Sequence, residues 1–286
     1  MSCYNAVMND DAKCPMCKQD QTLELWDNAS FQFHYCAKCE LHWATGVNSF
    51  RISSSYDLTY YKRNYLGDAN DHQRMFFRSQ LHQLCPRLSG RLVLDVGFGT
   101  GFFLEEALKQ GWNVSGIELS EAALNYVRAV LGDRATLISG DLCTAHLPSG
   151  SFDLITFWDV LAHVSDPQGY LHRARELLKP GGVLVIKTPL RPAVFFARLT
   201  LLPAWVRESL VHWPWQIFHF SEFTLRRFLE SVGFHGIETQ VSPELPAQSI
   251  PWSHYCQHPK GAFLVGFHWI YNRLMHSRSL LLYAER

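Results

Sequence analysis

Two Cys-x-x-Cys pairs stand near the start of the chain, Cys14 and Cys17 in CPMC and Cys36 and Cys39 in CAKC. A turn of this kind brings two thiolates to one side of a metal ion, and two such turns complete a tetrahedral site for zinc. A catalytic zinc keeps one position open for water, whereas four thiolates close it, so the expected zinc is structural. The residues between the pairs, LELWDNASFQFHY, alternate apolar and polar as a hairpin does, with Asn28 near the tip. The outline is a zinc ribbon. His34 and His42 could also ligate, but beside a complete cysteine set they read as packing or surface residues. Cys3, Cys85, Cys143 and Cys256 follow no such spacing and read as small apolar side chains.

A second group of residues follows an apolar run, LVLDVGFGTGFFL at 92–104. Asp95 closes a strand-like stretch, and Gly97, Gly99 and Gly101 occupy alternate positions after it. Glycine-rich turns after the first strand of a doubly wound sheet hold adenosine cofactors, either a nicotinamide dinucleotide or S-adenosylmethionine. The dinucleotide fingerprint wants its third glycine one residue later, where this chain has Phe102. Glu118 ends the next apolar stretch, NVSGIELS, and can accept hydrogen bonds from both ribose hydroxyls. Asp141, in SGDL, is set to accept from an adenine amino group.

These residues need a frame, and the pattern around them supplies one. Helical spacing runs from Asn70 to Leu88. From Arg91 onward strands and helices alternate: strand 92–96, helix 102–110, strand 113–119, helix 121–130, strand 136–139, strand 152–158, helix 167–178 and strand 183–188. That order predicts an α/β fold, a doubly wound, mostly parallel sheet with helices on both faces. Ligands in such sheets bind beyond the carboxyl ends of the strands, where Asp95, Glu118 and Asp141 lie.

On these motifs, Arg91 to Thr188 resembles a class I S-adenosylmethionine-dependent methyltransferase. LDVGFGTG is similar to that family's first motif, GIELS to its ribose-binding acid and SGDL to its adenine contact. SFDLITFWDVLAHVSDP and LLKPGGVLVIKTP are similar to its fourth and fifth strands. Within the class, the chain is similar to the small-molecule branch of ubiquinone O-methyltransferases and sugar C-methyltransferases. The resemblance implies a seven-stranded sheet whose last strand, antiparallel, comes from Ser279 to Arg286. It implies Asp95 near the methionine amino group, the three glycines against the cofactor backbone, and Glu118 with Leu119 at the ribose. Asp141 and Leu142 would meet the adenine, and Trp158 would line the same site. Phe98 departs from the family, which commonly has a small residue or Cys there.

For the acceptor, WDVLAHV places Asp159 and His163 one helical turn apart, so both could face one side. A histidine with a carboxylate partner serves as general base near neutral pH; the competing assignment makes Asp159 a helix cap. His219, in FHFS, could join from the opposite loop. In the quinone O-methyltransferases this segment resembles an acid-x-x-Glu-His metal site, but Ala162 stands at the Glu position. The expected division is a zinc-ribbon module over 1–50 and a methyltransferase domain over 51–286, with aromatic-rich lid insertions at about 189–219 and 244–276.

Composition narrows the partners. Lys+Arg and Asp+Glu number 26 each, which disfavours a surface built to coat phosphate backbones. No apolar run approaches the roughly 18 residues of a membrane span, and the N-terminus lacks a signal peptide's apolar core. The expectation is a cytoplasmic enzyme that methylates an O or C centre of a small-molecule acceptor, with S-adenosylmethionine and structural Zn²⁺ as its cofactors. Two other readings remain open: a ribosomal RNA base methyltransferase with a zinc ribbon, and a cofactor-binding scaffold that docks a partner through the ribbon. Oligomeric state is not legible.

Overall fold

The computed structural model describes residues 13–20, 23–28, 31–45, 69–190, 216–243 and 278–286. Of the expected lids, 191–215 of the first and all of the second, 244–276, lie outside the described residues, whereas 189–190 and 216–219 are described. The cysteine-rich segment forms β1 (Leu23–Asn28), β2 (Phe31–Cys36) and β3 (Leu41–Thr45). Helix α1 (Ala69–Leu84) precedes the alternating part: β4 (Leu92–Val96), α2 (Phe102–Lys109), β5 (Asn113–Glu118), α3 (Glu121–Leu131), β6 (Ala135–Ser139) and β7 (Phe152–Trp158). Then come α4 (Pro167–Leu177), β8 (Leu178–Pro189), the two-residue β9 (Phe218–His219), α5 (Glu222–Val232), β10 (His235–Pro243) and β11 (Arg278–Glu285). Strand β8 starts before Val183 because Leu178 already pairs with Phe152.

Local chemistry sets the helix ends. Ser120 caps α3 by accepting from the Ala123 N–H, Asp166 caps α4 by accepting from Gly169 with Pro167 at the first helical turn, and Ser221 caps α5 by accepting from Thr224. Each short oxygen side chain satisfies an amide that has no partner within its own helix.

The large sheet has the order β10-β11-β8-β7-β4-β5-β6. Strands β4 to β8 pair in parallel, while β11 runs antiparallel to both β8 and β10. The sheet is therefore the seven-stranded, mostly parallel one expected, with the C-terminal strand reversed. Alternation along the strands divides the core. One face carries Leu94, Ile117, Phe157 and Ile186, and the other carries Val93, Leu154, Val185 and Tyr283 under α1 and α2. Helix α1 is fixed to α2 by Glu106, only 1% exposed, which accepts from Arg78, Arg74 and Lys109. Among the described residues no helix is long and apolar enough to cross a membrane.

The second sheet has the order β1-β2-β3-β9, all antiparallel. Its fourth strand comes from far along the chain, with His42 opposite His219 and Trp43 opposite Phe218. The ribbon is thereby built into the large domain: Cys14, Cys36, Cys39, Leu41 and Trp43 share one core with Phe157, Phe218 and Phe228. The buried Thr224 hydroxyl donates to the Cys39 carbonyl at 2.7 Å.

Replacing Thr224 with Val keeps the side-chain shape and strands that carbonyl without its donor. The expected loss is about 1–3 kcal/mol, read as a lower melting temperature; an unchanged melting temperature would show that this contact does not hold the ribbon.

Candidate functional site

The turn between β4 and α2 is set by backbone geometry that side chains cannot enter. Gly97 and Gly101 have φ of 68° and 74°, in the left-handed region. A Cβ on Gly97 would lie 2.7 Å from Val160 Cγ2, and one on Gly101 would lie 2.8 Å from both Val127 methyls. Gly97 donates its N–H to Ile117 O at 2.8 Å, which ties the turn to β5. Phe98, the departure noted above, is buried against Gly116 of β5, where an added Cβ would meet its ring at 2.6 Å. The large side chain is accommodated because the neighbouring strand has none there.

Three acids gather at consecutive strand ends. Asp95 is 1% exposed; its Oδ1 accepts from the Thr156 hydroxyl at 2.6 Å, and its Oδ2 has no hydrogen-bond partner among the described residues. Burial pushes its carboxyl well above the usual carboxylate range, against the lowering effect of Thr156. Glu118 receives N–H groups from Gly99, Leu119 and Ser120, each at 2.9 Å. Burial raises its pKa too, against those amides. A carboxylate offers about four acceptor positions, so Glu118 retains capacity for a ligand hydroxyl. Asp141 accepts from Cys143 N at 2.8 Å and from the Tyr170 hydroxyl. Leu119 is exposed at the rim, whereas Leu142 is buried in the core.

These residues fit the cofactor that the sequence implies. An unpartnered buried carboxylate oxygen suits an ammonium group, a glycine turn admits a close backbone approach, and Glu118 suits a ribose. Trp158 stands at the end of β7, half-buried, its ring 5.7, 5.1 and 5.3 Å from those of Phe76, Phe77 and Phe103. Helix α1 therefore forms one wall of the region.

The acceptor-side segment corrects one expectation. Residues 159–163 form a bend and a turn rather than a helix, closed by His163 N–H to Val160 O at 2.9 Å. Asp159 has φ of 58°, incompatible with a helix, because its N–H bonds Lys187 O at 2.8 Å and its carboxylate turns to the Lys187 ammonium. The two residues remain on one short loop, but helical spacing is not what brings them there. His219 is on β9, 1% exposed, its ring edge-on to Phe33 at 5.5 Å. The backbone links them: Ile217 and Phe218 N–H both donate to Ala162 O, at 2.8 and 3.0 Å.

The sulfurs of Cys14, Cys17, Cys36 and Cys39 lie within 4.8 Å of one another. Cys17 Sγ and Cys36 Sγ are 3.7 Å apart, far beyond a disulfide and close to the edge, about 3.8 Å, of a tetrahedron with metal–sulfur bonds of about 2.3 Å. Lys18 and Glu40, each directly after the second cysteine of a pair, both have left-handed φ, 59° and 53°. The two turns are thus built alike. His34 and His42 are buried in the ribbon and are not part of the sulfur cluster; His34 Nε2 meets Thr45 Oγ1 at 2.8 Å, and burial lowers the His42 pKa to about 3.

Thr156, Tyr170 and Lys187 had no place in the sequence reading. The lysine inside VLVIKTP was the available signal, a charge interrupting a run that otherwise reads as buried strand.

Gly101→Ala is expected to cost about 1–3 kcal/mol through strain and overpacking. Adding Val127→Ala should recover only part of the loss in a thermal melt, since it removes the methyl clash and leaves the left-handed φ. Full recovery would mean that the backbone conformation costs nothing.

Residues 65–239 match the family described as "Methyltransferase domain". The chain is similar to a ubiquinone biosynthesis O-methyltransferase of Azoarcus sp. (strain BH72), 35% identical over 105 residues, covering 35% of this chain and 45% of that protein. It is also similar to a probable S-adenosylmethionine-dependent methyltransferase of Mycolicibacterium smegmatis, 29% identical over 160 residues, covering 55% and 57%. The chain thus spans about half the length of these curated relatives. Among solved structures, Haemonchus contortus phosphoethanolamine N-methyltransferase 2, in complex with phosphomonomethylethanolamine and S-adenosylhomocysteine, superposes with a TM-score of 0.56 at 19% identity, covering 75% of this chain and 52% of that one. That likeness speaks for the fold alone. With the family match covering most of the chain and the strand-end acids in place, the chain belongs to the class I S-adenosylmethionine-dependent methyltransferases.

Proposed function

We propose that the protein transfers a methyl group from S-adenosylmethionine to an oxygen or carbon centre of a small-molecule acceptor. The observation that carries this reading is Asp95, a buried carboxylate with one oxygen unpartnered among the described residues, beside the glycine turn and Glu118. In this reading Asp95 meets the methionine ammonium, and Gly97, Gly99 and Gly101 lie along the cofactor. Glu118 and Leu119 hold the ribose, Asp141 and Leu142 the adenine, and Trp158 lines the methyl-donor region. When bound, S-adenosylmethionine supplies an electrophilic methyl on a sulfonium, with the C–S electron pair returning to sulfur. Asp159 and His163 handle the acceptor's proton, and His219 stands behind their loop through the Ala162 contacts.

Similarity to ubiquinone biosynthesis O-methyltransferases supports a small acceptor, and the balanced charge supplies no overall field for nucleic acid. Of the segments expected as lids, Pro189 belongs to β8 and Phe218 and His219 to β9, so the apolar lids for a ring-shaped, lipid-linked or sugar-linked acceptor in this reading are the stretches at 191–215 and 244–276. The four cysteines hold a structural zinc in a ribbon over 1–50, and the free thiols are consistent with a cytoplasmic protein.

Titration calorimetry with S-adenosylmethionine and S-adenosylhomocysteine tests the cofactor, and mass spectrometry across an acceptor panel tests the transfer; failure to bind either cofactor form would remove the reading. The pKa shift of Asp95 gives the binding a sign. A raised folded pKa favours folding below the unfolded value, about 4, and that contribution is lost as pH rises through the folded value. The cofactor-free protein should therefore lose stability along that rise. A bound ammonium favours ionised Asp95, so cofactor binding should release protons and tighten with rising pH while Asp95 is still protonated in the free protein. Buffers of different ionisation enthalpy measure the release, and Asp95→Asn should abolish it.

Elemental analysis should find about one zinc per chain. Its removal by chelation should lower the melting temperature of the whole chain, because three of the cysteines share the main core. A melt in which only the ribbon's signal shifts would refute that coupling.

A further inference from the structure

We infer that Lys187, together with Asp159, forms an acceptor-binding ion pair that holds a weakly acidic hydroxyl and favours its ionised form; this inference rests on the methyltransferase reading above. Lys187 is 8% exposed, on β8 near its carboxyl end, directly opposite Trp158 in the β7–β8 register. A lysine there is costly to bury, and its partner Asp159 is 43% exposed, so the pair offsets little of that cost. The left-handed backbone of Asp159, held by its N–H bond to Lys187 O, adds a further cost.

The surroundings point to a ligand. Asp159 Oδ1, Trp158 Nε1 and Ser279 Oγ are buried polar atoms with no hydrogen-bond partner among the described residues. Ser279, 0% exposed, pairs with Pro189 on β11, so it shares the sheet face of Lys187 and lies diagonally next to it. Asp95 lies on the same face, two strands from β8, level with Thr156 and Val185. The pair is thus next to the methyl-donor site, and unspent donors and acceptors of both kinds surround it. Among the described residues Asp95, Glu118 and Asp159 are acidic groups on this face at the strand ends, with Asp159 the one paired to Lys187; α1 contributes Phe76 and Phe77 there.

The chemistry that fits is an O–H group. Its proton faces Asp159 Oδ1, and its oxygen accepts from Lys187 Nζ. On ionisation the O–H bond breaks, the proton passes to Asp159 and then to water, and the electron pair stays on the oxygen opposite the ammonium. A cation within about 4–6 Å lowers an acid's pKa by about 1–3 units. That brings a hydroxyl with a pKa near 10 toward neutrality and leaves an aliphatic alcohol un-ionised. Because Asp159 partly offsets Lys187, the shift in the intact pair falls at the low end.

The test uses the full chain saturated with S-adenosylhomocysteine and 4-nitrophenol as probe, whose ionisation is read from its visible absorption. The bound probe should ionise about one unit below the free one. Lys187→Met should abolish the shift and weaken binding of the ionised probe at least tenfold, while S-adenosylhomocysteine affinity stays within twofold, which shows that the variant is folded. Lys187→Arg should restore most of the shift, and Asp159→Asn should enlarge it by leaving the cation uncompensated. Absence of probe binding, binding without a shift, or a Lys187→Met variant equal to the parent would each overturn the inference. Failure to bind S-adenosylhomocysteine would instead overturn the methyltransferase reading on which it rests.

Discussion

One backbone oxygen, that of Ala162, joins the parts of this molecule. It accepts the N–H groups of Ile217 and Phe218, and the strand these residues enter pairs with β3 of the ribbon. A buried carbonyl must be satisfied, and here the satisfying donors come from a segment that the ribbon also needs. The loop carrying Asp159 and His163 is therefore braced from outside the large sheet. Because the ribbon's cysteines and Trp43 are packed into the same core as Phe157 and Phe218, the brace cannot slide without opening that core.

The cofactor side is organised on a different principle, the placement of unsatisfied polar groups where a parallel sheet ends. Gly97, Gly99 and Gly101 all take positive φ, which leaves the turn without side chains on that side. Glu118 accepts the Gly99 amide together with those of Leu119 and Ser120, which ties the turn to the end of β5. Asp95 retains one acceptor unmet among the described residues. Burial of these acids costs stability in the absence of a ligand, and that cost is a source of affinity for a cationic one. The same economy extends to Lys187 and Asp159 at the neighbouring strand ends, where a charged pair and strained backbone are held by the register of β7 and β8.

Much of this was legible from the residues. The alternating pattern from Arg91 onward gave the strand and helix order because apolar periodicity reports burial directly. The paired cysteines gave the ribbon because short ligand spacing is a local property. The turn at Asp159 was misread as helix: its apolar spacing suits one, and the hydrogen bond to Lys187 that prevents it comes from 28 residues away. Strand β9 was missed because two residues carry no periodicity; Phe218 and His219 become a strand only by pairing with Trp43 and His42. Lys187 was passed over because a lysine in a sequence usually means a solvated surface.

The sequence by itself determined the order of strands and helices and the local turns, since the glycines of one turn and the cysteines of one pair lie within a few residues of one another and their spacing is their geometry. Only the tertiary structure decided how the loop at Asp159 to His163 is held. Lys187 to Asp159 and Ala162 to Phe218 join residues distant in the chain there, as Thr224 to Cys39 does where the ribbon meets α5. Such pairings form because buried charges and buried carbonyls must find partners, and which partner each finds is fixed by the register and packing of whole strands.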